Sequence, residues 1–115
     1  GIAQMIDGNR VGDVSAAVQE HVESFGFNVP REYSGHGVGR QMHEGPQVPN
    51  YGTAGRGLVL RPGLTIAIEP MVLMGRAQTK VMPVQLTVSS ADGLLTAHHE
   101  HSVAVTEGKP LILTK

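Results

Sequence analysis

The sequence predicts an α+β fold, with one main helix packed on an antiparallel sheet. Three observations predict it. A single stretch near the start has helical periodicity, a glycine- and proline-punctuated middle excludes a long helix, and short β-prone runs bounded by turn residues follow.

Taken in order, Gly1 to Ile6 reads as the last turns of an earlier helix. Val11 to Phe25 is the main helix: Val11, Val14, Ala17, Val18, Val22 and Phe25 recur at spacings of three and four, while Gln19, Glu20 and Glu23 fall elsewhere. Asn9 marks its N-cap region and Gly26 its stop. Beyond Pro30, glycines 35, 37, 39, 45 and 52 and prolines 46 and 49 favour short extended pieces separated by turns. Strands are expected at Leu64 to Glu69, after the turn Arg61-Pro62-Gly63, and at Val84 to Val88. Another follows the turn Ala91-Asp92-Gly93, from Leu94 to Val105, and Leu111 to Leu113 closes the chain. No repeat, low-complexity linker or second domain interrupts residues 1–115.

At 115 residues, one hydrophobic core is possible. Aromatics are only 3% and Trp is absent, so that core must be built from Val, Leu, Ile, Ala and Met. A net charge of -1 gives no electrostatic reason to expect nucleic acid or an anionic membrane as partner. No apolar run approaches the roughly 20 residues of a membrane span. The absence of cysteine excludes disulfides, thiolate metal sites and cysteine nucleophiles. The opening GIAQMIDGNR has neither a signal-peptide pattern nor an initiator Met, and a fragment of a longer protein is the expectation.

Five of the six histidines fall in two clusters. His21 stands apart on the helix beside Glu20 and Glu23, as a partly exposed helix residue. The first cluster is Gly35-His36-Gly37-Val38-Gly39-Arg40-Gln41-Met42-His43-Glu44-Gly45-Pro46. Residues seven apart on a straight strand point to opposite faces, so the glycines argue for bends between His36 and His43. One ring as ligand and the other as proton donor or substrate-facing group would suit such bends, and so would a glycine-rich loop with surface histidines. The second cluster is His98-His99-Glu100-His101. Strand alternation puts His99 and His101 on one face and His98 and Glu100 on the other, so the three rings do not converge. Glu69 ends the apolar run Leu64 to Ile68 just before Pro70; there it must be paired, ligated or at an exposed strand end. One imidazole and two carboxylates, His36, Glu69 and Glu100, suit Mn, Fe, Co or Zn and make a metallohydrolase possible.

The run EYSGHGVGRQMHEGPQVPNYG, Glu32 to Gly52, resembles the signature of the type I methionine aminopeptidases: Gly-His-Gly, Gly-Arg, then His-Glu and Pro-Gln-Val. LRPGLTIAIEPM, Leu60 to Met71, resembles that family's second motif and AHHEHSVAV, Ala97 to Val105, its third. The resemblance covers essentially the whole chain. It implies the C-terminal half of the pita-bread metallopeptidase fold. It implies His36 and Glu69 as metal ligands, Glu100 as a carboxylate bridging two divalent ions (Co, Mn, Fe or Zn), and His43 as the non-ligand histidine facing the scissile peptide. Tyr33 and Met42 would lie near the pocket for the methionine side chain. Met42 stands where the family often has an aromatic, and His98, His99 and Ser102 are also departures. No metal role is implied for His21, His98, His99 or His101.

The activity implied is removal of N-terminal methionine from nascent peptides, in the cytoplasm and in association with the ribosome, by a monomeric parent protein. The family's remaining two ligands are aspartates on a hairpin of the first half. Asp7, Asp13 and Asp92 occupy no such motif, so the isolated chain is expected to be inactive. A prolidase- or creatinase-like peptidase is the alternative within the superfamily; Gln47-Val48 and His101 favour the methionine enzyme. A peptide-binding module of the same fold that has lost its chemistry is the alternative outside it.

Overall fold

The computed structural model describes residues 1–83 and 87–115. Its centre is helix α1, Val11–Ser24, one residue shorter than expected, laid on a five-stranded antiparallel sheet. The strands are β1 (Ser34–Gly37), β2 (Glu44–Pro49), β3 (Thr65–Ile68), β8 (His101–Ala104) and β9 (Leu111–Ile112), in the order β2-β1-β3-β8-β9. Two further ribbons pair β4 (Met71–Leu73) with β7 (Thr96–His98), and β5 (Thr79–Val81) with β6 (Val88–Ser90). Three residues of the strand expected at Val84 to Val88, 84–86, lie outside the described residues.

The opening segment is a single 3-10 turn, Ile2–Gln4. Arg10, not Asn9, is the N-cap: Asp13 at the third helical position accepts the Arg10 N–H at 2.7 Å, while the Asn9 amide donates to Gln4. The next two helix donors are satisfied from outside, Val11 N–H by the Leu58 carbonyl and Gly12 N–H by that of Arg56. That loop comes so close that a Cβ at position 12 would collide with the Thr53 carbonyl oxygen. The other end closes as foreseen. Gly26 adopts φ 78°, its N–H bonds to the Glu23 carbonyl, and Phe27 N–H reaches back to that of Val22.

The helix buries Val11, Val14, Val18 and Val22 in a cluster with Met5, Val48, Leu60, Ile66, Ile68, Val103 and Val105. Each such side chain contributes about 1.5–3 kcal/mol on burial. The core is aliphatic with one methionine, as the composition requires. No helix among the described residues is long and apolar enough to cross a membrane.

The expected strand Leu94 to Val105 divides into β7 and β8. The pairing keeps one register throughout: Thr65↔Ala104 to Ile68↔His101 on the large sheet, then Met71↔His98 to Leu73↔Thr96 beyond the gap. Continued across the gap, this register sets Glu69 opposite Glu100 and Pro70 opposite His99. Proline has no N–H to give the ladder, which interrupts the pairing there.

Candidate metal centre

Three segments, one strand and two strand ends, carry the candidate ligands. His36 stands on the inner strand β1, paired with Gln47 of β2 on one side and Ala67 of β3 on the other. A Cβ on Gly35 would collide with the Ala67 carbonyl oxygen, and one on Gly37 with the carbonyl of Gly45. The glycines around His36 therefore serve close approach of neighbouring backbone; none of Gly35, Gly37 and Gly39 has positive φ. The expected bends are present, however. A bulge after His36 and the bends at residues 39–43 bring His43 back beside His36, with ring centroids 4.2 Å apart and 44° between planes.

Glu69 extends from the end of β3 and Glu100 from the gap between β7 and β8. One ligand atom each of His36, Glu69 and Glu100 lies within 4.8 Å of the others. His36 Nε2 is 3.0 Å from Glu69 Oε1, and both side chains are largely buried, at 14% and 17% exposure. The other ring nitrogen of His36, Nδ1, is 2.8 Å from the Gly37 carbonyl oxygen. That carbonyl can only accept, so Nδ1 carries a proton and Nε2 is directed at Glu69. Both ring nitrogens thus face acceptors, and a proton or a metal cation belongs between Nε2 and the carboxylate.

These residues fit a metal. Donors bound at about 2.0–2.2 Å to one ion stand roughly 3 Å apart, as His36 Nε2 and Glu69 Oε1 do. Two carboxylates facing each other across a ladder repel, and a divalent cation between them reverses that sign. The donor set, nitrogen and oxygen without sulfur, suits a borderline or hard divalent ion.

The other expected site residues are adjacent but looser. His43 and Met42 are exposed, Met42 at 75%, on the turn before β2; Tyr33, half-buried, directly precedes β1. The rings of His99 and His101 pack edge to face, 4.8 Å between centroids, and border an apolar groove with His21, Val18, Val22 and Ile68. His98 lies apart from them, its Nε2 3.5 Å from Glu69 Oε2. The alternation read from the sequence therefore holds. What it did not give is the approach of His98 to Glu69, nor the buried Asn50, whose amide donates to the Glu69 carbonyl oxygen at 3.4 Å.

An imidazole and two carboxylates converge at the interruption of an antiparallel sheet, a donor set of the kind a metal-dependent hydrolase uses. Residues 1–107 match the family model of metallopeptidase family M24, and the chain belongs to that family. Over 114 residues it is 49% identical to a methionine aminopeptidase of Clostridium acetobutylicum, covering 99% of this chain and 46% of that protein. The crystal structure of methionine aminopeptidase from Thermotoga maritima superposes with TM-score 0.96 at 54% identity, over 99% of this chain and 46% of that one. The architecture is accordingly that of the pita-bread fold. The prolidase of Pyrococcus horikoshii shares the fold alone, with TM-score 0.66 at 23% identity. The chain spans about half the length of the curated relatives it matches.

Proposed function

We propose that residues 1–115 are the C-terminal half of the catalytic domain of a methionine aminopeptidase, which removes N-terminal methionine from nascent proteins. The observation that supports this reading is the convergence of His36, Glu69 and Glu100 from three separate segments, with the His43 ring packed beside His36. A parent that is cytoplasmic, monomeric and able to meet nascent chains at the ribosome belongs to the same reading.

His36 and Glu69 would hold one divalent ion and Glu100 would bridge it to a second, from the group Co, Mn, Fe and Zn. Ions held there supply positive charge that acidifies water and polarises a peptide carbonyl. The rest falls to the protein. The Gly37 carbonyl locks the His36 ring so that Nε2 points inward, and Asn50 fixes the backbone that carries Glu69. His43, beside His36 but outside the ligand cluster, donates a hydrogen bond to the carbonyl oxygen as negative charge develops on it. Tyr33 and Met42 border the substrate's methionine side chain. The ligands still needed for a closed site come from the part of the parent outside residues 1–115.

A peptide-binding module without chemistry is the weaker reading, because His36, His43, Glu69 and Glu100 are all present and grouped. The test is release of methionine from a Met-Ala peptide by the parent protein loaded with Co(II) or Mn(II). Turnover that disappears with a chelator and returns with the ion supports the aminopeptidase; no release under any loading would overturn it.

A further inference from the structure

Glu69 is flanked by an imidazole on each side, and only one of them belongs to the ligand cluster. Oε1 faces His36 Nε2 at 3.0 Å, and Oε2 faces His98 Nε2 at 3.5 Å. The register explains how His98 arrives there. Met71 pairs with His98 on the β4–β7 ribbon, in the same register that sets Glu69 opposite Glu100. His98 and Glu100 are two apart on one strand and share a face, which makes His98 the diagonal cross-strand neighbour of Glu69. A diagonal neighbour stands too far for a short side chain but within reach of an imidazole.

We propose that His98 is a positioning residue for the metal centre, donating from its Nε2–H to Glu69 Oε2 so that Oε1 stays turned toward His36 and the ion. The proposal rests on the metalloenzyme reading above. Glu69 needs such a partner for two reasons. Its carboxylate faces the like charge of Glu100, which favours rotation away from the cluster unless a donor holds the second oxygen. In addition, Pro70 follows it and contributes no N–H, so the chain next to Glu69 offers no backbone donor on that side. The side chain of His98 is 43% exposed and borders a cavity of about 210 Å³ with Pro30, Met71, Leu73, Thr79 and Val88. Among the described residues, the Glu69 carboxylate is the acceptor that its Nε2 faces. Outer partners of this kind characteristically change metal affinity 10–100-fold when removed.

The test compares His98→Gln, which keeps an N–H donor, with His98→Leu, which removes it at similar bulk. Co(II) affinity of the parent protein is read from the d–d absorption band, and Mn(II) affinity by electron paramagnetic resonance titration. His98→Leu is expected to weaken both ions at least about tenfold, and His98→Gln to stay within about threefold of the native protein. Circular dichroism melts of the metal-free proteins separate this from a loss of fold, and should agree within a few degrees. Native affinity in His98→Leu would overturn the proposal while leaving the metal centre intact. Equal weakening in both variants would overturn it too, since it would mean that the imidazole itself is a ligand. Failure of the native parent protein to bind either ion would sink the metal centre and this proposal together.

Discussion

Glu69 and Glu100 occupy opposed positions in one continuous antiparallel register, at the point where Pro70 opens the ladder. The arrangement is unfavourable by itself and favourable around a cation. Like charges directly opposed across a ladder cost about 0.2–1 kcal/mol. Glu100→Gln should therefore leave the metal-free protein as stable as native or slightly more so, while weakening metal binding and removing turnover in the parent. Paired melts with and without Mn(II) check this; a variant that keeps the native ion-induced rise in Tm would refute the assignment of Glu100.

His43 packs on His36 without joining the ligand group. His43→Ala should lower kcat of the parent by roughly 100- to 1,000-fold, the usual loss when one donor to a developing oxyanion is removed. Its Co(II) affinity should stay near native. A large fall in affinity would instead make His43 a ligand.

Gly35 is required by its neighbours. Gly35→Ala would drive a methyl group into the Ala67 carbonyl between β1 and β3, and should destabilise the chain by about 1–3 kcal/mol. Gly108→Ala, where the nearest atom is the Thr106 hydroxyl at 4.0 Å, should be mild by comparison. Denaturant melts of the two proteins make the comparison, and equal stability would remove the packing argument.

Asp13 makes the helix start sensitive to acid. Its carboxylate accepts the Arg10 N–H at 2.7 Å and the Gly55 N–H at 2.8 Å, and these bonds hold its pKa below the ordinary aspartate value. Because the folded pKa is the lower one, the stabilisation is fully present above about pH 4. It is lost as the pH falls through the folded value. Asp13→Ala should thus melt earlier than native at pH 7, and the gap should narrow toward pH 2. A gap independent of pH would contradict the role of the charge.

Much of this was legible in the sequence because the relevant signals are local. The valine spacing from Val11 to Val22, the stop at Gly26, and the alternation that separates His98 and Glu100 from His99 and His101 all rest on neighbours a few residues away. What was hidden depends on register between distant segments. That Glu69 faces Glu100, that His98 reaches Glu69, and that Gly12 and Gly35 yield to carbonyls of other segments follows only once strands and loops are paired. The glycines near His36 show the limit well: they suggest bends, which exist, but those flanking it on β1 are needed for clearance. The gap in β7 and β8 came from a proline on the facing strand, which no reading of residues 94–105 alone would find.

The three candidate ligands sit on or at the ends of strands that neighbour one another in space but are separated by long stretches of chain. No short piece of this protein can hold an ion as the whole sheet does, and an ion bound there therefore stabilises the closed sheet. Cutting the chain between any two of these strands, if the pieces separate, would disarm it; a half-degraded copy would retain neither the grip on metal nor any stray hydrolytic activity.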